Sequence, residues 1–85
     1  MNYKVVSVKP LEHLRLEVRF ADGLSGEVVF KESHLYGVFE ALKDPAVFSQ
    51  VRCDEGFVEW PGEIDIAPDA MYHAICANGC WVLEN

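Results

Sequence analysis

Basic residues are missing from the last 33 positions of this chain. All seven lysines and arginines lie between Lys4 and Arg52, whereas residues 53–85 carry seven carboxylates: Asp54, Glu55, Glu59, Glu63, Asp65, Asp69 and Glu84. Residues 1–52 hold seven acids against seven bases, so the formal charge of −7 belongs entirely to the C-terminal part. Such a surface repels a phosphate backbone, so direct nucleic-acid binding is not expected; a basic protein partner or a metal ion is attracted instead, set against the plainer reading of a solubilising acidic face. Cysteine is scarce and odd in number. Three cysteines without a secretory leader do not make a disulfide framework. Cys76 and Cys80 are four apart, but Gly79 interrupts a shared helix face, and buried structural thiols are expected instead. No apolar run approaches the ~20 residues of a membrane span. Met1-Asn2-Tyr3-Lys4 lacks the apolar centre of a signal peptide, which implies a cytoplasmic location.

Catalytic signatures are equally sparse. There is neither a Walker loop nor a dinucleotide fingerprint. His13, His34 and His73 fall on a strand, a helix entry and a helix, with no nucleophile and orienting group marked beside them. A His73–Cys76 thiol–imidazole pair has one-turn spacing but no third partner. Glu63, Asp65 and Asp69 do not have calcium-loop spacing, because Ala67-Pro68 intervenes. The expectation is a protein that is not an enzyme, with no cofactor and no metal.

What is present suffices for a core. The apolar fraction is 51% and the 85 residues are expected to form one domain, 1–85. Val5, Val6 and Val8 predict a first strand ended by Pro10. Leu14, Leu16, Val18 and Phe20 then alternate with polar residues, and Leu24, Gly26, Val28 and Phe30 continue the alternation after Ala21-Asp22-Gly23. A three-residue loop keeps these large apolar side chains on one face, pairing Leu16 with Val28 and setting Glu17 opposite Glu27, with Arg15 and Arg19 alongside. Ser33 predicts a cap for a helix with Leu35, Val38, Phe39 and Leu42 inside, although Gly37 is an alternative start. Asp44-Pro45 reads as an N-cap and first helical residue. A second hairpin turns at Glu55-Gly56, pairing Cys53 with Val58 and Arg52 with Glu59 and leaving Phe57 exposed. Ile64 and Ile66 form a short extended piece. Asp69 is expected to cap a last helix over 70–77 that buries Met71, Ile75 and one of Tyr72 or Cys76, stopped by Asn78-Gly79. Trp81, Val82 and Leu83 form an apolar tail, either folded back or offered to another chain.

Several of these pieces resemble the bacterial domain-of-unknown-function family 2442. The resemblance is carried by Val8-Lys9-Pro10-Leu11, the run from Leu14 through Gly23, Gly37 through Pro45 with Phe48, Trp60-Pro61, and Asp65 through Tyr72, in this order and spacing. Gly62-Glu63 departs from the Asn-Gly common in relatives, and Phe30 stands where aspartate is common. The resemblance implies an α+β fold: a small antiparallel sheet of two hairpins plus an edge strand, with two or three short helices. It implies no catalytic residues. Some relatives precede a helix-turn-helix segment, and others are encoded beside a small protein in a pair resembling a toxin–antitoxin module.

The functional expectation is therefore an antitoxin-like or regulatory interaction module for a small basic protein, one candidate being the product of an adjacent gene. Self-association is a further possibility. The expected surface comprises Phe57, Trp60, Glu63, Asp65, Tyr72 and Trp81, aromatic anchors within an acidic rim. The alternative is a ligand-sensing or dimerisation domain acting with a separate DNA-binding protein.

Overall fold

The computed structural model describes residues 3–84. Alternation between apolar and polar residues builds the first sheet. Strands β1 (Val5–Leu11), β2 (Arg15–Phe20) and β3 (Ser25–Phe30) run antiparallel in that order. Leu16 faces Val28 and Glu17 faces Glu27, the register expected of a three-residue loop. Phe20 N–H donates to the Leu24 carbonyl at 2.7 Å across it, and Gly23 takes a φ of 96° that a side chain would resist. Arg15 Nη1 reaches Glu27 Oε1 at 2.9 Å and relieves the facing pair of carboxylates. β1 continues through Pro10 to Leu11, past its expected end, because β1 is an edge strand and the missing N–H costs no ladder bond.

Two consecutive non-glycine residues, His13 (φ 62°) and Leu14 (φ 59°), make the turn between β1 and β2. For an L-residue with a bulky side chain this conformation costs about 1–2 kcal/mol. Leu14 is held there by its carbonyl, which accepts from Phe30 N–H at 2.9 Å, and by packing against the core.

The second hairpin forms a separate sheet. β4 (Arg52–Asp54), β5 (Phe57–Trp60) and β6 (Ile64–Ile66) are antiparallel, with β5 in the middle. Glu55 (φ 52°) and Gly56 (φ 89°) supply the mirror-image turn that matches strand twist. The α+β class holds, but the two hairpins do not share one sheet. The apolar tail folds back as β7 (Cys80–Leu83), which pairs parallel to β3, so the first sheet is not wholly antiparallel.

The helical segments differ more from expectation. A short 3-10 turn spans Glu32–His34 with Lys31 as N-cap, and a second 3-10 helix spans Gly37–Lys43, from the alternative start Gly37 with Tyr36 as N-cap, so Ser33 is the N-cap of neither. The 3.0-residue period of the second rotates Val38 outward to 68% exposure while Leu42 stays buried. Helix α1 (Pro45–Phe48) is as predicted: Asp44 Oδ1 accepts from Ala46 N–H at 2.9 Å. Helix α2 (Pro68–Asn78) begins earlier than expected, with Ala67 as N-cap and Pro68 at the first position. Asp69 therefore lies inside the first turn, where its charge complements the helix dipole without capping it. Gly79 ends the helix at φ 79°, its N–H donating to the Ile75 carbonyl at 2.7 Å.

One apolar cluster joins both sheets. At its centre Phe30 (β3), Phe48 (α1) and Trp60 (β5) stack with centroids 5.8–6.0 Å apart. Trp60 is 1% exposed, and its indole N–H donates to the Phe48 carbonyl at 2.9 Å. Burying such a ring removes roughly 150–250 Å² from water, about 4–6 kcal/mol as an upper bound on an area basis. β1 ties the sheets at another point: Val5 N–H donates to the Gly56 carbonyl at 3.1 Å, and the Cys53 thiol donates to the Val5 carbonyl at 2.7 Å. Partial burial raises the Cys53 pKa above its ordinary value, which keeps that donor protonated.

Candidate functional site

Strand parity sorts the second sheet into two faces. Val58, Trp60, Ile64 and Ile66 point into the core, so Phe57, Glu59 and Asp65 point out with Arg52 and Asp54. Asp54 lies directly across from Phe57, and Arg52 and Asp65 lie on either side of Glu59. Arg52 Nε contacts Glu59 Oε1 at 3.2 Å. The face thus carries three carboxylates and one cation around a phenyl ring that is 47% exposed. Beside the ring opens a shallow groove of about 290 Å³, walled by Tyr3, Phe57 and Pro68 and edged by Lys4 and Glu55. Gly56 sits at its base, and a Cβ there would lie 3.0 Å from the Lys4 side chain.

The expected surface residues are only partly brought together. Phe57 and Asp65 share this outer face, and Glu63 lies exposed in the adjoining turn at φ 64°. Trp60 does not belong to the surface: it lies three residues from Phe57, hence on the opposite side of the strand, and is a core residue. Trp81 is half-buried on β7, in the other sheet, in register with Val28. Tyr72 is half-buried on α2, edge-on to Phe20 at 5.0 Å and 5.1 Å from Tyr3. Tyr3 therefore touches Tyr72 and also walls the Phe57 groove. Sequence reasoning missed Tyr3 and Pro68, because both are placed by tertiary contact and neither stands in a periodic pattern.

The Tyr72 hydroxyl donates to Asp22 Oδ2 at 2.5 Å, and Asp22 Oδ1 accepts from Leu24 N–H at 2.9 Å. The Tyr72 hydrogen bond, then the Leu24 amide, lowers the Asp22 pKa below 3.8. The same bond to Asp22 raises that of Tyr72 above 10.0. His73 Nε2 lies 3.1 Å from the Tyr3 hydroxyl. Cys76 is exposed, and Cys53 and Cys80 are half-buried, so none of these thiols has the fully buried setting expected. α2 turns only the Met71–Ile75 side inward, which leaves Cys76 on its solvent side. Among the described residues, no group of three or more His, Cys, Asp or Glu side chains is placed to hold a metal ion. Nor is any helix among them long and apolar enough to cross a membrane.

Two larger depressions lie elsewhere. One, of about 640 Å³, is an open polar hollow over the solvent side of the first sheet, where Glu17, Arg19, Ser25 and Glu27 converge. The other, of about 580 Å³, lies between the β1–β2 turn and α1. Leu11, Leu14, Pro45 and Phe48 line it, and Glu12, Glu32 and Lys43 stand around it.

No curated protein and no solved structure matches the chain. A family model, described as Protein of unknown function (DUF2442), matches residues 5–76, which takes in every element from β1 through most of α2. The chain belongs to that family.

Proposed function

We propose that this chain is a non-enzymatic protein-interaction module that docks a basic segment of a partner protein on the outer face of the three-stranded sheet. The observation that carries the reading is Phe57, a large aromatic left 47% exposed on a middle strand, where Asp54, Glu59 and Asp65 surround it, with Arg52 on the same face and Lys4 at the edge of the groove as the cations nearby. An exposed aromatic within a charged rim is the pattern of an interface anchor, and the rim charge selects a basic partner and speeds its encounter. Glu63 extends the acidic rim, and Tyr3 with Pro68 extends the apolar part. This is the role of an antitoxin-like or regulatory subunit.

The test is co-purification with the product of the adjacent gene, followed by titration at rising salt. Phe57→Ala is expected to weaken binding by about 2 kcal/mol, roughly thirtyfold. Asp65→Lys is expected to slow association and flatten the salt dependence. Wild-type affinity in both variants means that the partner sits on another face.

A second reading, a ligand-sensing domain acting with a separate DNA-binding protein, is supported by the 580 Å³ cleft beside α1, whose floor is apolar and whose rim is charged.

A further inference from the structure

The cleft between the β1–β2 turn and α1 combines three features that arise independently. Its floor is apolar: Leu11 ends β1, Leu14 closes the turn, and Phe48 ends α1. Its wall contains the strained pair His13 and Leu14, at φ 62° and 59°, and left-handed non-glycine residues gather at binding sites more often than elsewhere. Its rim carries charges of both signs. Lys43 ends the 3-10 helix, Glu32 begins another 3-10 turn, and Glu12 opens the hairpin turn. No ion pair joins Lys43 to Glu12 or Glu32 among the described residues; the Glu12 carboxylate lies 4.0 Å from His13 Nε2, and its backbone carbonyl accepts from Arg15 Nε at 3.2 Å. The cation and the acids around this apolar floor therefore do not satisfy one another.

We propose, on the ligand-sensing reading, that this cleft binds a free α-amino acid with an apolar side chain. The aliphatic or aromatic side chain lies on Leu11, Leu14 and Phe48. The ligand carboxylate pairs with Lys43, and its ammonium pairs with Glu32 and Glu12. A purely apolar molecule leaves both kinds of rim charge unused, and a simple cation or anion uses only one of them. A zwitterion with an apolar body matches the floor and both signs of the rim. The Phe57 face lies on the other sheet, so a ligand here and a partner there do not compete for residues.

The experiment is a heteronuclear NMR titration of the full chain with L-leucine and L-phenylalanine. Two further arms use leucine stripped of one charge each: isopentylamine, which lacks the carboxylate, and 4-methylpentanoate, which lacks the ammonium. The expected result is saturable shifts of the Leu11, Leu14, Lys43 and Ser49 amides, with Kd below about 1 mM and each stripped analogue at least tenfold weaker. Lys43→Gln is expected to abolish the preference for leucine over isopentylamine. Glu12→Gln with Glu32→Gln is expected to abolish the preference over 4-methylpentanoate. These three positions are exposed, and a wild-type-like spectrum establishes that the variants fold. If the stripped analogues shift the same amides as strongly as leucine, the amino-acid assignment is overturned while the cleft stands as a ligand site. If no probe shifts these amides in a saturable way up to about 10 mM, the site and the ligand-sensing reading fall together.

Discussion

The two sheets of this small protein treat their solvent faces differently. On the four-stranded sheet, opposite charges are interleaved: Lys9 lies across from Glu17, and Arg15 bonds Glu27. That face neutralises itself. On the three-stranded sheet, Arg52 meets Glu59, while Asp54 and Asp65 have no basic neighbour in register and Phe57 stands among them. The contrast follows from the linear sequence, because no lysine or arginine follows Arg52. Self-neutralised ion networks on sheets contribute little and ask for nothing further. The acidic face around Phe57 carries more carboxylates than bases, and the function proposed here rests on that difference.

The comparison breaks most visibly at Trp60, which belongs to the acidic sheet but faces the core it shares with Phe30 and Phe48. Trp60→Ala is expected to cost about 3–5 kcal/mol, enough to leave a domain of this size marginal or unfolded. Urea unfolding followed by fluorescence of Trp81 and by circular dichroism checks it. Coincident loss of both signals means that the sheets unfold together. Phe57→Ala, three residues away on the other face, is expected to cost well under half as much.

A smaller effect is expected on the four-stranded side. A Cβ at Gly26 would lie 2.6 Å from the Gly79 carbonyl oxygen and 2.6 Å from Ile75 Cγ2. Gly26→Ala must therefore push α2 and its C-terminal cap away from β3, at about 1–3 kcal/mol. Thermal unfolding is expected to fall by roughly 4–8 °C for each kcal/mol. An unchanged midpoint would show that α2 is not held tightly on the sheet.

The smallest effect is a pH dependence where α2 meets the β2–β3 loop. The Asp22 pKa is lowered in the folded protein, so its contribution is present above its ordinary value of 3.8 and is lost as pH falls through the folded value. For Tyr72 the folded pKa is raised, so its contribution is present below 10.0 and is lost as pH climbs through the folded value. Tyr72→Phe is expected to be less stable than wild type at pH 6, and the gap is expected to close below pH 3.8. A gap that persists in strong acid would assign the loss to packing against Phe20 and Tyr3 instead.

Much of this fold was legible wherever local chemistry is decisive. Alternation and Gly23 set the register of β2 with β3, Glu55-Gly56 set that of β4 with β5, and Asp44-Pro45 set the start of α1. In the segment 31–43 the apolar spacing fits an α-helix, whereas the chain makes 3-10 turns over Glu32–His34 and Gly37–Lys43, the longer one beginning at the alternative start Gly37. The candidate surface was half legible. Its acids and Phe57 follow from charge counting and strand parity. The same parity puts Trp60 on the opposite face, so a large aromatic near an acidic run is not by that alone a surface anchor.

The sequence by itself determined the family, the hairpin registers, the helix boundaries set by Pro45 and Gly79, and the concentration of negative charge after Arg52. These depend on neighbours a few residues apart, or on composition. Only the tertiary structure decided that the hairpins lie in separate sheets, that β7 returns parallel to β3, and that Tyr3 and Pro68 flank Phe57. It also decided that Leu11, Leu14 and Phe48 enclose a cleft. Those contacts join residues far apart in the chain, and packing around a shared core selects them, since period and turn chemistry say which face is apolar but not which partner covers it.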